Sequence, residues 1–354
     1  MPHLFSPLTL RSVELKNRIA VSPMCQYSAE DGFVNDWHVV NYGTRSLSGA
    51  SLLVVEASAV VPEGRISPWD LGIYKDEHIP GLQKITSFAE SHGAVPGIQL
   101  SHAGRKASHL QPWTGGRQLK PQEALGWATV APSPIPFADT EEAPRELTYD
   151  DIEVIQSAFV KAVQRAHKAG FKVVELHAAH GYLINQFLSP LSNHRSDEYG
   201  GSFENRTRFL AEIVEKTRAV WPDDLPLVVR ISATEWVEGG WSKQDSVRLA
   251  GILKDKGVDM VDCSTGGNVA KIKIPLGPGY QVEFAEAVRA TGIITGTVGL
   301  ITTAQHADEI IRSGKADVVS MARQLIRDPY FPLRAAHELG QEVKWPVQYE
   351  RAKW

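Results

Sequence analysis

Residues 148–176 read TYDDIEVIQSAFVKAVQRAHKAGFKVVEL, and this stretch decides the fold class. Thr148 followed by Asp151 predicts a capping box, in which each side chain satisfies a backbone N–H of the other at a helix start. Ile152, Ile155, Phe159, Val163 and Ala166 then recur at helical spacing, which gives the helix one apolar stripe. Gly170 falls where a helix C-terminus favours a left-handed residue. Val173, Val174 and Leu176 follow as a short apolar strand.

The same order recurs along the chain. Ser242 and Asp245 open a second helix carrying Leu249, Ile252 and Leu253; Gly257 ends it, and Met260–Cys263 is the strand. Thr302 or Thr303 opens a third with Ala307, Ile310 and Ile311, closed by Gly314 and followed by Val318–Met321. Helices alternating with continuously apolar strands predict a parallel sheet covered on its faces. Eight strands are placed, at about 18–24, 51–58, 95–101, 172–177, 226–232, 259–264, 294–299 and 317–322. That number favours a closed α/β (β/α)8 TIM barrel over an open doubly wound sheet. Residues 4–16 predict a β-hairpin ahead of the barrel, covering its bottom. The loop after the third strand, 103–147, holds Pro112, Pro121, Pro132, Pro134, Pro136 and Pro144. A loop of that length is usually functional, and this one is expected to act as a lid. No linker divides the chain, so residues 1–354 are expected to form a single domain.

Composition narrows the function. Of 354 residues, 43% are hydrophobic and 22% charged, an ordinary globular balance. A net charge of −4 gives no electrostatic case for nucleic acid or an acidic membrane. Two cysteines, Cys25 and Cys263, are too few for a disulfide framework and fit a reducing compartment. No basic-then-apolar leader opens the sequence, and no apolar run reaches the ~18 residues of a membrane span. The expectation is a cytoplasmic protein.

Polar residues at strand ends stand out against an interior that should be packed with branched apolar side chains. Arg230, in LVVRIS, is either paired with a carboxylate or faces a ligand that becomes anionic. Gln99 is either a satisfied interior amide or a ligand contact. HAAHGYL, residues 177–183, puts His177, His180 and Tyr182 at the active face. They read as a histidine pair capping the strand, or as two N–H donors and an O–H acid able to polarise a carbonyl and deliver a proton. A metal site is not expected, because no third ligand has suitable spacing. Gly299 and Arg323 end the last two strands, where barrels often bind phosphate; otherwise they are a turn glycine and a surface ion pair with Asp328 or a neighbour. No G-x-G-x-x-G follows a strand, so no Rossmann site is read.

Together, SPMCQY (22–27), VEASAV (55–60), IQLSHAGRK (98–106), ELHAAHGYL (175–183), LSNHRSDEYGGSFENR (191–206) and PVQYER (346–351) resemble the Old Yellow Enzyme family of FMN-dependent ene-reductases. The pattern is most similar to its thermophilic-like subclass, which includes bacterial xenobiotic reductases. The resemblance implies a barrel with bound FMN, which takes hydride from NADPH or NADH and passes it from flavin N5 to the β carbon of an activated alkene. It implies that Ser22, Pro23, Met24 and Cys25 lie along the flavin, that Ala57, Gln99 and Arg230 contact it, and that Gly299, Ala322 and Arg323 hold its phosphate. His177 and His180 would bind the substrate's carbonyl or nitro oxygen, Tyr182 would protonate the α carbon, and Tyr27 would contact the substrate. Arg351 would reach the site of a neighbouring subunit in a homodimer or homotetramer. Ala322 departs from the glycine common in the family, so its backbone must meet phosphate with an ordinary φ. The tail after Arg351 also departs. Three other readings are weighed: a flavin-free phosphate-binding isomerase or aldolase, for which no strand-end Schiff-base lysine or carboxylate base is evident; a non-catalytic flavin-binding protein; and a relative of the larger dienoyl-CoA reductases, for which the cysteines of an iron–sulfur cluster are lacking.

Overall fold

The computed structural model describes residues 2–354. The chain opens with β1 (Leu8–Leu10) and β2 (Val13–Leu15), an antiparallel hairpin with Leu8 opposite Leu15. Ser12 N–H donates to the Asp224 carbonyl at 3.0 Å, and Arg11 Nε meets Asp259 at 2.6 Å. Both partners precede barrel strands, so the hairpin covers the bottom of the barrel as expected.

The other strands are β3 (Ile19–Val21), β4 (Leu52–Ala59), β5 (Val95–Ser101), β6 (Val130–Ala131), β7 (Arg145–Glu146), β8 (Val173–Ala178), β9 (Leu227–Ser232), β10 (Met260–Ser264), β11 (Ile294–Thr297) and β12 (Val318–Met321). All but β6 and β7 pair in parallel into one closed barrel, in which β12 returns to β3 through Val319 opposite Ile19. The eight expected strands are these eight, with ends trimmed. β6 and β7 pair only with each other inside the long loop, which is therefore not structureless.

The helices are α1 (Asp36–Ser46), α2 (Ile79–Ser91), α3 (Tyr149–Lys168), α4 (Leu183–Leu188), α5 (Phe203–Arg218), α6 (Lys243–Asp255), α7 (Val282–Arg289), α8 (Ala304–Arg312), α9 (Arg323–Arg327) and α10 (Phe331–Glu338). Helix α3 starts where its sequence says: Asp151 N–H donates to Thr148 Oγ1 at 3.2 Å, and Thr148 N–H to Asp151 Oδ2 at 2.8 Å. Its stripe of Ile152, Ile155, Phe159, Val163 and Ala166 is buried. Each large member contributes about 1.5–3 kcal/mol of burial. Gly170 has φ +90°, the left-handed conformation that stops a helix at little cost only in glycine. Thr303, not Thr302, caps α8. None of the described helices is long and apolar enough to cross a membrane.

Parallel pairing fixes which side chains share the barrel interior. Gln99 lies opposite Glu175, His177 opposite Arg230, and Arg230 opposite Asp262. Residues in register on neighbouring strands point the same way. Four adjacent strands thus deliver a polar layer to one end of the barrel.

Candidate active site

Gln99 Nε2 donates to Glu175 at 2.7 Å, and Arg230 Nε lies 3.3 Å from Asp262 Oδ2. All four residues are buried. Burial pushes both the Glu175 and Asp262 carboxyls upward, with the nearby Asp262 adding to the effect on Glu175, and Arg230 pulls them partly back. Both readings of Arg230 therefore have support. It is paired with a carboxylate, yet its Nε makes no aligned hydrogen bond to protein. Ser22 Oγ is buried nearby in the fold, just after β3, and also lacks a protein partner.

Directly above, β8 carries His177 as its next-to-last residue, and the chain turns at His180, whose φ is +58°. The turn is held by His180 N–H donating to Ser232 Oγ at 2.8 Å and Gly181 N–H donating to Asn185 Oδ1 at 2.7 Å. His180 Nε2 lies 2.7 Å from Ser264 Oγ, and its Nδ1 lies 3.4 Å from His177 Nε2. The Tyr182 ring meets the His177 ring edge-on at 4.9 Å. Burial holds His177 well below the usual imidazole range, helped by His180, Arg230 and Lys106. Burial, with Arg230 and Lys106, does the same to His180. Both imidazoles are neutral. Burial raises the Tyr182 phenol, so it keeps its proton.

The segment after β3 lies across the same end. Tyr27 is left-handed, φ +49°, and its ring packs edge-on against Trp113 of the long loop. Gln111 of that loop donates to the Tyr27 carbonyl at 2.8 Å. The segment is pinned from below: Gln26 N–H donates to the buried Glu56 at 2.7 Å, and Tyr42 donates to the same carboxylate at 2.9 Å. Burial pushes Glu56 up to about 8. Burial also raises the half-buried Cys25, with Asp70 and Glu56 adding to the effect, so it stays a thiol.

A cavity of about 190 Å³ runs along the ends of β11 and β12, lined by Arg230, Ser264, Gly299, Ala322 and Arg323 among others. Gly299 has φ +130°, and a Cβ there would lie 3.0 Å from Gln281 and from Tyr280. Ala322 has φ −105°, outside the left-handed region that favours glycine. Asp328 bonds Arg334 at 2.6 Å, not Arg323, so the ion pair considered for Arg323 does not form. A buried guanidinium at one end, an arginine at the other and an unpartnered Ser22 hydroxyl fit a flavin with a phosphate tail. Ser264 joins this cavity to His180.

His177, His180, Tyr182, Tyr27, Gln99, Arg230, Gly299, Ala322 and Arg323 thus lie at one end of the barrel, and Arg351 does not. Arg351 is exposed on a 3₁₀ turn, Val347–Ala352. Residues 341–348 and Glu350 lie beside Lys16, Asn17, Gly49 and Gly93, all of which precede barrel strands. The tail therefore sits at the bottom of its own barrel, opposite the histidines.

Several residues in or under the site were not singled out from sequence. Glu175, Asp262 and Ser264 were hidden inside strands assumed to be apolar. Glu56 gave no signal beyond its place in VEASAV. Lys106 had one, being part of a basic pair, Arg105–Lys106, following an apolar strand. Its ammonium bonds the carbonyls of His180 and Gly267, each at 2.9 Å.

The family model described as the NADH:flavin oxidoreductase / NADH oxidase family matches residues 3–342. An NADPH dehydrogenase of Geobacillus sp. (strain WCH70) is 50% identical over 351 residues, 98% of each chain. Morphinone reductase, solved in complex with tetrahydroNAD, superposes with a TM-score of 0.79 at 28% identity, covering 98% of this chain and 93% of the other. An old yellow enzyme homologue from Zymomonas mobilis gives 0.80 at 26% identity, over 98% and 96%.

The backbone contact beneath His180 is a specific test of this geometry. A Cβ on Gly267, φ +91°, would lie 2.6 Å from His180 Cα. Gly267→Ala is expected to cost about 2 kcal/mol or more, read from urea unfolding, while Gly277→Ala, where a Cβ meets nothing within 4 Å, should be near neutral.

Proposed function

The chain belongs to the NADH:flavin oxidoreductase / NADH oxidase family and is an NAD(P)H:flavin oxidoreductase using FMN, and on that premise we propose that it reduces activated C=C bonds, those of α,β-unsaturated carbonyls and nitroalkenes. The observation that carries this reading is the confrontation of His177 and His180. Ala179 N–H donates to His177 Nδ1 at 3.3 Å, which leaves the ring proton on Nε2. His180 Nε2 lies 2.7 Å from Ser264 Oγ, and taking that hydroxyl as the donor assigns the His180 proton to Nδ1. Two neutral N–H groups then face one another at 3.4 Å, too long for a good bond between them. Both are satisfied by one acceptor, and a carbonyl or nitro oxygen is such an acceptor. Donors placed in advance cost no reorganisation and favour charge that grows on that oxygen.

When bound, FMN supplies the two-electron chemistry that carries hydride from NAD(P)H to the β carbon of the alkene. Ser22, Pro23, Met24, Cys25, Ala57 and Gln99 are the residues proposed to seat the ring, with Arg230 beside its pyrimidine edge. Gly299, Ala322 and Arg323 are proposed to hold the phosphate. The chain's own part in the reaction is positional and protonic. His177 and His180 hold the oxygen and draw electron density from the β carbon. Tyr182, packed against His177 and kept protonated by burial, gives its proton to the α carbon. Tyr27, fixed by Glu56 through Gln26 and by Gln111, is proposed to contact the substrate. Arg351 points away from its own site and is proposed to complete that of an adjacent copy.

Tyr182→Phe is expected to slow reoxidation by 2-cyclohexenone by about 10²–10⁴-fold, with bleaching by NADPH nearly unchanged. Stopped-flow measurement of the two halves decides this, and equal losses in both would remove the role from Tyr182. Arg351→Ala should raise KM for the alkene while the oligomer seen by size exclusion persists. An unaltered KM, or a monomeric wild type, counts against a shared site.

A further inference from the structure

We propose that Lys106 is the positioning residue for the oxygen-binding histidine pair: its ammonium fastens the loop after β8 to the loop after β10 and so fixes where His180 stands. The proposal rests on the reading of His177 and His180 given above.

The two loops touch backbone to backbone. A Cβ on Gly181 would lie 2.3 Å from the Gly267 carbonyl oxygen and 2.6 Å from Asn268 Cα. Such an approach brings two carbonyls, those of His180 and Gly267, to one spot. Lys106 Nζ donates to both at 2.9 Å, and among the described residues neither accepts from another protein donor. An ammonium is suited to this, being a compact charge with several donors. Losing it leaves two carbonyls without partners and a left-handed histidine, φ +58°, held by fewer bonds. The head group is also sandwiched, 4.4 Å from the Phe137 ring centroid and 5.2 Å from that of Tyr182.

Arg105 makes the adjoining half of the joint. Its Nη2 donates to the Asn268 carbonyl and Oδ1 at 2.6 and 3.0 Å, and its Nη1 to the carbonyls of Ile135 and Pro136 at 3.2 and 3.3 Å. One dipeptide at the foot of the long loop therefore ties together three loops of the active face. The groups facing Lys106 are Arg105 on its own segment, Glu141 from the long loop, and His177, His180 and Tyr182 from the loop after β8. Burial first, then Arg105, pushes the Lys106 ammonium down to about 8, against Glu141. The charge is present below that pH and is lost as pH rises through it.

The test uses FMN-loaded protein with NADPH and 2-cyclohexenone. In the wild type, KM for the alkene should be flat below neutrality and rise only modestly as pH passes about 8, because the neutral amine keeps two weaker N–H donors for the two carbonyls. Lys106→Met should show a KM raised by about tenfold or more at every pH, with a flat profile. Lys106→Arg, which keeps charge and donors, should restore a low KM and hold it at alkaline pH. A second readout needs no turnover: in the FMN-free protein, amide exchange at 180–182 and 266–268 should quicken in Lys106→Met while the barrel strands stay protected. Wild-type KM and exchange in Lys106→Met would overturn the proposal, as would Lys106→Arg losing as much as Lys106→Met. His180→Ala separates the two ideas. An unchanged KM there sinks the reading of the histidines, whereas the exchange result judges the clamp on its own.

Discussion

A guanidinium and two carboxylates sit inside a barrel whose interior would otherwise be apolar, and the site is organised around that cost. Arg230 lies in register with His177 on one side and Asp262 on the other. Taking such charges out of water costs several kcal/mol per ion, and attraction repays it only where geometry is good. Here it is incomplete: Arg230 reaches Asp262 at 3.3 Å without an aligned bond, and burial lifts both carboxyls. A layer left partly unpaired at the mouth of a barrel is a layer shaped for a polar ligand. Burial keeps the histidines above it neutral and the positive member of the layer adds to that effect, so they can donate without carrying charge of their own.

Strands set the depth of the site, and loops set its shape. His177 is on a strand, but His180, Tyr182 and Tyr27 are on turns, two of them left-handed. Turns hold such positions only when their surroundings over-determine them. Glu56 does this for the segment around Tyr27, Ser232 and Asn185 do it for the turn at His180, and the Arg105–Lys106 pair fastens that turn to its neighbours. These supports lie on β4, β9, α4 and the long loop, so precision at the two imidazoles is drawn from much of the barrel.

The fold was largely legible because its signals are local. A capping threonine, a stripe and a left-handed glycine are each set by a few neighbours, and Thr148, Ile155 and Gly170 behave as their types predict. The centre of the site was legible as residue types on strand ends, with the family pattern supplying their roles. The supports were not. Glu175, Glu56 and Ser264 act through partners distant in sequence, Gln99, Gln26 and His180, and nothing in one chain's spelling announces a pairing between strands. Arg230 showed both sides of this, since its burial was evident and Asp262 was not. The place of Arg351 at the bottom of its own barrel likewise depends on how the tail packs, not on PVQYER itself.

The account stands most directly on one anaerobic visible spectrum followed through two additions. Protein purified or reconstituted with FMN should show the oxidised flavin bands, lose them on a stoichiometric addition of NADPH, and regain them on adding 2-cyclohexenone in the absence of oxygen. Protein that holds no flavin, or that is bleached by NADPH yet is not reoxidised by the alkene, would contradict it.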